Sequence, residues 1–508
     1  MKKQLRKQQF KSLLLAVLTF MPLAASAQVE INEKNFPDEM FRKTLLYDKY
    51  GTIDVVDGIF TEDEIKEIKS LTLNGVGNAK GIEYFTALED LVVVGSESLY
   101  GTVLTSLDVS KNTALKKLRC GSNKLTSLDV SKNTALEVLS CYYNQLTSLN
   151  VSGCTLLETL ECDENRLTNL DVSGCTSLTE LSFRANPLTS LNVSNCTLLP
   201  ELSCPSLQLT SLDVSGCTSL TKLHCSYNQL TTLDVSSCQS LTTLWCDENQ
   251  LTTLNVSGCT LLVDLWCSEN QLTTLDVSNC TSLTEFRFED NPLTSLNMSN
   301  CTSLTELSYY PGELTSLNAS GCTALTTLFC SNNQLVSLDV SGCTALTLFS
   351  CSENQLTTLD VLGCPSLETL LCDGNQLVNL DVSGCTALTY LECFNNQLKG
   401  EGMDSFINSL PENTTNEEHS LLIYDNWGGN DDNICTTDHV AIATAKGWSV
   451  LDSYWDDYAG VPPTGITLPT IENIDENTPI YDLSGKRVNN LQGKKGIYII
   501  GGKKVVVK

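Results

Sequence analysis

Residues 241–261 read LTTLWCDENQLTTLNVSGCTL, and this 21-residue text recurs fourteen times between Leu115 and Leu398 with no insertion or deletion. One column shows the phase: Leu118, Leu139, Leu160, Leu181, Leu202, Leu223, Leu244, Leu265, Phe286, Leu307, Leu328, Phe349, Leu370 and Leu391. A unit this short cannot bury its own apolar face, so a core forms only when copies stack. The period predicts a solenoid, with a long surface for recognition rather than an enclosed reaction site.

Written as LxxLxCxxNxLxxLxVSxCTx, the copy also assigns its faces. Alternate strand residues point opposite ways, so Leu244 and Cys246 face the core while Thr243, Trp245 and Asp247 face solvent. The Asn column (Asn123, Asn144, Asn165 and onward) is expected to satisfy buried backbone groups where the strand turns away. It fails at Leu207 and Gly312, near Pro205 and Pro311, where irregularity is expected. The first eleven positions resemble the leucine-rich repeat, LxxLxLxxNxL, with Cys for the central strand Leu. That resemblance implies a right-handed coil in which LxC is a short strand. The expected fold class is mostly β: a right-handed leucine-rich-repeat solenoid with a parallel concave sheet, small α/β caps and a short C-terminal β tail.

Residues 1–27 read as a secretory signal. Lys2, Lys3, Arg6, Lys7 and Lys11 precede an apolar run from Leu13 to Leu23, and Ala25-Ser26-Ala27 forms the cleavage site. Gln28 follows rather than Cys, which argues against a lipid anchor. No later stretch is long and apolar enough to span a membrane. Without the signal, 26 basic residues face 60 acidic ones, a net charge of −34. Nucleic acid, which needs a basic footprint, is thereby excluded as a partner.

The 24 cysteines of an exported chain suggest disulfides, but their columns argue for buried thiols. Eleven occupy the inward strand slot, where other copies place Phe183, Phe288 and Tyr309. Twelve occupy the SxCT turn, where the two earliest copies place Asn112 and Asn133. Neighbouring side chains of one column point alike, a poor geometry for bridging. No metal site or cofactor is expected.

The divisions read from the sequence are a signal (1–27), an N-terminal cap with degenerate repeats (28–105), the solenoid (106–400), a C-terminal cap (401–460), a linker (461–479) and a tail (480–508). Within the caps, helices are expected over 35–48, with Pro37 in the first turn, and after the Thr61–Glu64 capping box. Further helices are expected at 403–410 and 438–446, and strands at 420–424 and 448–451. The 401–460 segment is expected to cover the open end of the sheet. Ile480 to Val488 and Lys495 to Ile500, followed by Lys503–Lys508, resemble the sorting tail of the type IX pathway of Bacteroidetes. The whole chain resembles secreted or surface leucine-rich-repeat proteins of that group, which implies adhesion or partner binding. Taken by itself the tail reads as three strands with Gly turns and seven basic residues after Leu483.

The outward column contains His224, Trp245, Trp266 and Arg287 on consecutive copies. Exposed Trp and Arg are enriched at binding hot spots. With the flanking Tyr227, Asp247, Glu248, Glu269 and Glu289 they make the candidate ligand-binding set, suited to stacking on a sugar face or to a basic protein. Against this stands lateral strengthening of the sheet by stacked aromatics. A second column holds Asp in eight copies and Asn in five (Asp129, Asp171, Asp213 and Asp234 among them, against Asn150, Asn192 and Asn255). It reads as Asx-type turn bonding, with a calcium ladder as the alternative. Catalysis has no support: the three His are scattered, and a flat open sheet excludes no water. The expected function is an exported surface or secreted, adhesin-like binding protein for a protein or glycan. A passive spacer is the alternative, followed by an envelope glycan hydrolase using Glu248 or a neighbouring carboxylate.

Overall fold

The computed structural model describes residues 28–47, 57–95, 102–414, 418–426, 431–462, 480–482, 486–488, 496–500 and 503–507. The signal segment and nearly all of the linker lie outside them. The chain forms two compact units, one of residues 1–276 with 282–291, the other of 277–281 with 292–508. Both are parallel β-solenoids built from leucine-rich-repeat coils.

In the first unit each regular coil has a three-residue strand centred on the Leu of LxC and ending before the Cys, such as Thr243–Trp245, paired in register with a counterpart 21 residues away. Leu223 pairs with Leu244 and Leu244 with Leu265, while His224 pairs with Trp245 and Trp245 with Trp266. Leu223, Leu244, Leu265, Cys225, Cys246 and Cys267 are fully buried. Each coil also has a second strand. Segments such as Asn169–Asp171, Ser190–Asn192 and Ser211–Asp213 form a second parallel sheet, so the Asp/Asn column ends a strand instead of lying in a plain turn. There the Oδ1 of Asp234 accepts from the Ser236 N–H at 2.9 Å and that of Asn255 from the Ser257 N–H at 3.1 Å. Asp and Asn perform the same Asx bond, and bonds from Ser236 hold the Asp234 carboxyl below its usual range.

One Asn per coil ties three segments together. In the Trp245 coil, Asn249 Nδ2 donates to the carbonyls of Cys225, Cys246 and Asp247, and its Oδ1 accepts from the Leu230 N–H. Each buried carbonyl so paired avoids a desolvation cost of about 1–3 kcal/mol. Where Leu207 replaces Asn, Asn228 of the next coil accepts from both Leu207 and Leu209, and Ser206 and Gln208 adopt positive φ. Near Gly312 the Tyr310–Pro311 bond is cis.

All 24 cysteines are buried, and none is in a disulfide. Those of the SxCT turn donate to a carbonyl 24 residues back, as Cys217 does to Val193 at 3.1 Å. Asn133 makes the equivalent bond to Val109 at 2.9 Å. The column therefore selects a compact donor, which explains why Asn and Cys interchange there.

The main sheet of the first unit is interrupted once. Thr179 donates its N–H to Glu158, and Thr221 to Pro200. Pro200, lacking an N–H, cannot make that bond. Strand Glu180–Ser182 ends one sheet and Glu201–Ser203 begins the next, leaving a shallow hollow of about 330 Å³ between them.

The ends differ from expectation in three places. The first helix is Glu39–Leu46, because Asp38 caps it by accepting from the Phe41 N–H; Pro37 lies outside. In the second unit, His419–Tyr424 and Trp448–Asp452 meet the open end of the main sheet by adding two parallel strands to it. The last edge is closed by the chain's own turn: Asp452 donates to the Asp456 carbonyl and Tyr458 to that of Val450. Val461, assigned to the linker, is tied to the body by bonds with Cys435 and Thr437. The tail has four antiparallel strands, not three: Ile480–Asp482, Arg487–Val488, Gly496–Ile500 and Lys503–Val507. The Thr61–Glu64 capping box opens the helix Glu62–Glu67 as the sequence indicates.

Candidate functional site

The strands Lys222–His224, Thr243–Trp245, Asp264–Trp266 and Glu285–Arg287 lie side by side in one sheet. Their central residues point inward, so the residue on either side of each faces outward. Exact register then stacks one column at the strand spacing of about 4.8 Å. Trp245 and Trp266 follow it: ring centroids are 4.7 Å apart and the planes differ by 19°. The His224 ring meets Trp245 edge-on at 5.1 Å, and the Arg287 guanidinium lies 4.2 Å from the Trp266 centroid. The four side chains form one uninterrupted stack. Its aromatic pair is worth about 0.5–1.5 kcal/mol beyond area burial, and the exposed cation–π contact about 0.5–1 kcal/mol.

This geometry leaves little bare indole face on which a sugar could stack. Each indole face is covered, by the other indole and by His224 or Arg287, and both Trp are half-buried instead of bare. The stack presents ring edges and the Arg287 head. An apolar strip of edges suits a protein surface; a pyranose would have to displace Arg287 or His224 to find a face.

A neighbouring carboxylate fixes one indole. Trp245 Nε1 donates to Asp264 Oδ2 at 2.9 Å. Trp266 Nε1 and Asp264 Oδ1 are both buried without a partner. The sequence reading did not identify Asp264 as the group that orients Trp245. The signal was available, since the Asn column bonds across the same 19-residue offset.

The remaining candidates line the same face. Asp247 accepts from Ser226 Oγ at 2.7 Å and Glu289 from Ser268 Oγ at 2.8 Å. Tyr227, Glu248 and Glu269 occupy one column at φ of 61°, 50° and 52°, held by N–H bonds to Asp247, Ser268 and Glu289 of the following coils. A side-chain hydrogen bond to Glu248 and the charge of that carboxylate push the Tyr227 phenol up. All nine candidate residues thus share the outward face of four adjacent coils. No group of His, Cys, Asp and Glu among the described residues has metal-holding geometry, and no described helix is long and apolar enough to cross a membrane.

Residues 218–258, which include His224 and Trp245, match the family described as Leucine Rich repeats (2 copies). No curated protein sequence matches the chain. Among solved structures, the chain is similar to the functional domain of InlJ from Listeria monocytogenes, which includes a cysteine ladder, at 28% identity over 96% of this chain and 99% of that one, with a TM-score of 0.37. It is similar to the leucine-rich-repeat protein LIC12759 of Leptospira interrogans at 24% identity, over 69% and 95% of the two chains, with a TM-score of 0.35. YopM of Yersinia enterocolitica matches at 21% identity, over 82% and 87%, with a TM-score of 0.33. Leucine-rich-repeat solenoids commonly bind proteins and are typically not enzymes.

Proposed function

We propose that this is an exported surface or secreted protein that recognises a protein partner through the ridge of His224, Trp245, Trp266 and Arg287. The observation that carries the reading is the four-member stack: Trp and Arg, the residues enriched at hot spots, lie consecutively on a face otherwise lined by small polar and acidic groups. The surrounding Asp247, Glu248, Glu269 and Glu289 favour a partner with basic groups around an apolar centre. Tyr227 extends the rim. The basic, apolar and Ala-Ser-Ala segments of residues 1–27 support export, either to the outer-membrane surface or into the medium. On this reading the 480–508 tail engages the sorting machinery.

The stack also favours a second reading. Rings that cover one another strengthen a sheet laterally, which is what a passive spacer protein would need. Screening the chain from residue 28 onward against host extracellular proteins and glycans, beside a Trp245→Ala/Trp266→Ala variant checked by circular dichroism, separates the two. A protein hit lost in the folded variant supports the ridge. A hit retained moves the site elsewhere, and no hit for either supports the spacer.

A further inference from the structure

The second unit carries a different outward face, in which repeat and non-repeat residues meet. Strands Thr369–Leu371 and Tyr390–Glu392 are parallel neighbours, with Leu371 opposite Glu392. Leu371 and Tyr390 are half-buried and face outward. Trp455 comes from the turn beyond the last strand of the sheet; it is 57% exposed and sits at φ 67°, a conformation that a bulky residue rarely adopts. Its ring stacks on Tyr390 at 5.5 Å and 25°. Tyr390 and Trp455 thus form an apolar patch on this face, with Leu371 diagonal to Tyr390 on the neighbouring strand.

Three carboxylates border the patch. Glu392 accepts from the Tyr390 hydroxyl, Asp373 is 8% exposed and accepts from Ser352 Oγ, and Glu353 is exposed in the preceding coil. Among the described residues none of the three is in an ion pair. Burial, reinforced by the charges of Asp373 and Asp425, pushes these carboxyls above their usual range. On the first unit one outward acid, Glu201, does find a cation, Lys222, at 3.0 Å. Here the negative charge is left without a counter-charge beside exposed apolar area, and no metal-holding group occurs among the described residues.

We propose that this face docks a basic, amphipathic segment of a partner protein, its apolar side chains against Leu371, Tyr390 and Trp455 and its Lys or Arg side chains against Glu353 and Glu392. Asp373 adds its charge from beneath the surface. Charge complementarity selects this occupant: an acidic segment meets repulsion, and a neutral one leaves partly desolvated carboxylates uncompensated. The inference does not depend on the Trp245–Trp266 ridge, which lies in the other unit.

The test uses the chain from residue 28 onward and three labelled peptides, of alternating Lys and Leu, Lys and Ser, and Glu and Leu, with binding read by fluorescence anisotropy. The Lys/Leu peptide is expected to bind saturably, the Lys/Ser peptide more weakly and the Glu/Leu peptide not at all. Glu353→Gln/Glu392→Gln and Leu371→Ser should each weaken the Lys/Leu complex about tenfold. Glu158→Gln/Glu180→Gln, the same charge change on the first unit, should alter it by less than about twofold. Circular dichroism checks each fold, and the exposed Glu353→Gln alone serves if the double variant does not fold. Equal loss in both charge variants would reduce the binding to general attraction by an acidic protein and overturn the proposal. So would absence of saturable binding, or loss in Trp245→Ala/Trp266→Ala with the Glu353/Glu392 variant unaffected.

Discussion

Trp245 Nε1 donates to Asp264, nineteen residues ahead, whereas Trp266, one coil on, finds Glu285 at the same offset and its buried N–H meets no acceptor. The two indoles are stacked and nearly parallel, so backbone register cannot explain the difference. Side-chain length differs instead: Asp264 brings its carboxylate to the indole edge, whereas Glu285 is one methylene longer and exposed.

Glu285→Asp should therefore complete the ladder. Trp266 Nε1 would gain a charge-assisted bond, raising stability by about 1 kcal/mol. The check is the indole N–H resonance of Trp266 in a ¹H–¹⁵N spectrum, expected to move downfield and exchange more slowly, together with the denaturation midpoint. An unchanged resonance would show that the short side chain is not what seats Asp264.

The SxCT column supplies a second test. Asn133 donates to Val109 and Asn112, but its Oδ1 is buried without a partner, and Asn112 has the same defect. Cys154 reaches the equivalent carbonyls of Val130 and Asn133 without bringing in an acceptor of its own. Asn133→Cys should thus stabilise the protein by about 1–2 kcal/mol, and Cys217→Asn should destabilise it by a similar amount. Urea midpoints of both variants decide it, and the prediction fails if the two shift in the same direction.

Much of this was legible because the repeat samples each position fourteen times. A column that accepts Leu and Phe but nothing polar is core, and one that exchanges Asp for Asn is a turn acceptor. The outward set from His224 to Arg287 was found in the same way, since register converts one column into one spatial row. What the columns could not reveal was how two Trp orient once stacked, because ring planes depend on Asp264, His224 and Arg287 together. Trp455 was missed for a simpler reason: it lies outside the period, and only the fold brings it against Tyr390. The break at Pro200 was also hidden, since Pro205 and the missing Asn drew attention to the wrong end of that coil.

The residue before each conserved Asn tests backbone strain. Ala185 there has φ 54°, and Gly374 fills the same column at 63°. A side chain in this conformation costs about 1–2 kcal/mol, while glycine's extra unfolded-state freedom returns about 0.4–1 kcal/mol. Ala185→Gly should raise stability by roughly 0.5–1 kcal/mol, the difference of those two effects. Ala185 is exposed, so no packing is lost. A lower thermal midpoint would mean that the surrounding bonds, not the side chain, set the cost.

The thiols give a pH dependence whose sign follows from burial. Desolvation pushes the Cys120 and Cys204 thiols from an ordinary 9.0 up to about 12. In the unfolded chain such thiols ionise as pH passes 9, while in the native core they keep their protons. Between those values the native state binds more protons, so its stability falls as pH rises. The stability these thiols contribute is fully present below pH 9 and lost as pH approaches 12. Two measurements check this. Denaturant midpoints should be flat with respect to thiol ionisation up to pH 8 and decline above pH 9 more steeply than in a variant with Cys120→Ala and Cys204→Ala. Iodoacetamide at pH 8 should leave the native cysteines unmodified and alkylate all 24 once the chain is unfolded in guanidinium. Rapid labelling of the native protein at inward positions would show that the coils open locally far more often than a close-packed ladder of Leu and Cys permits.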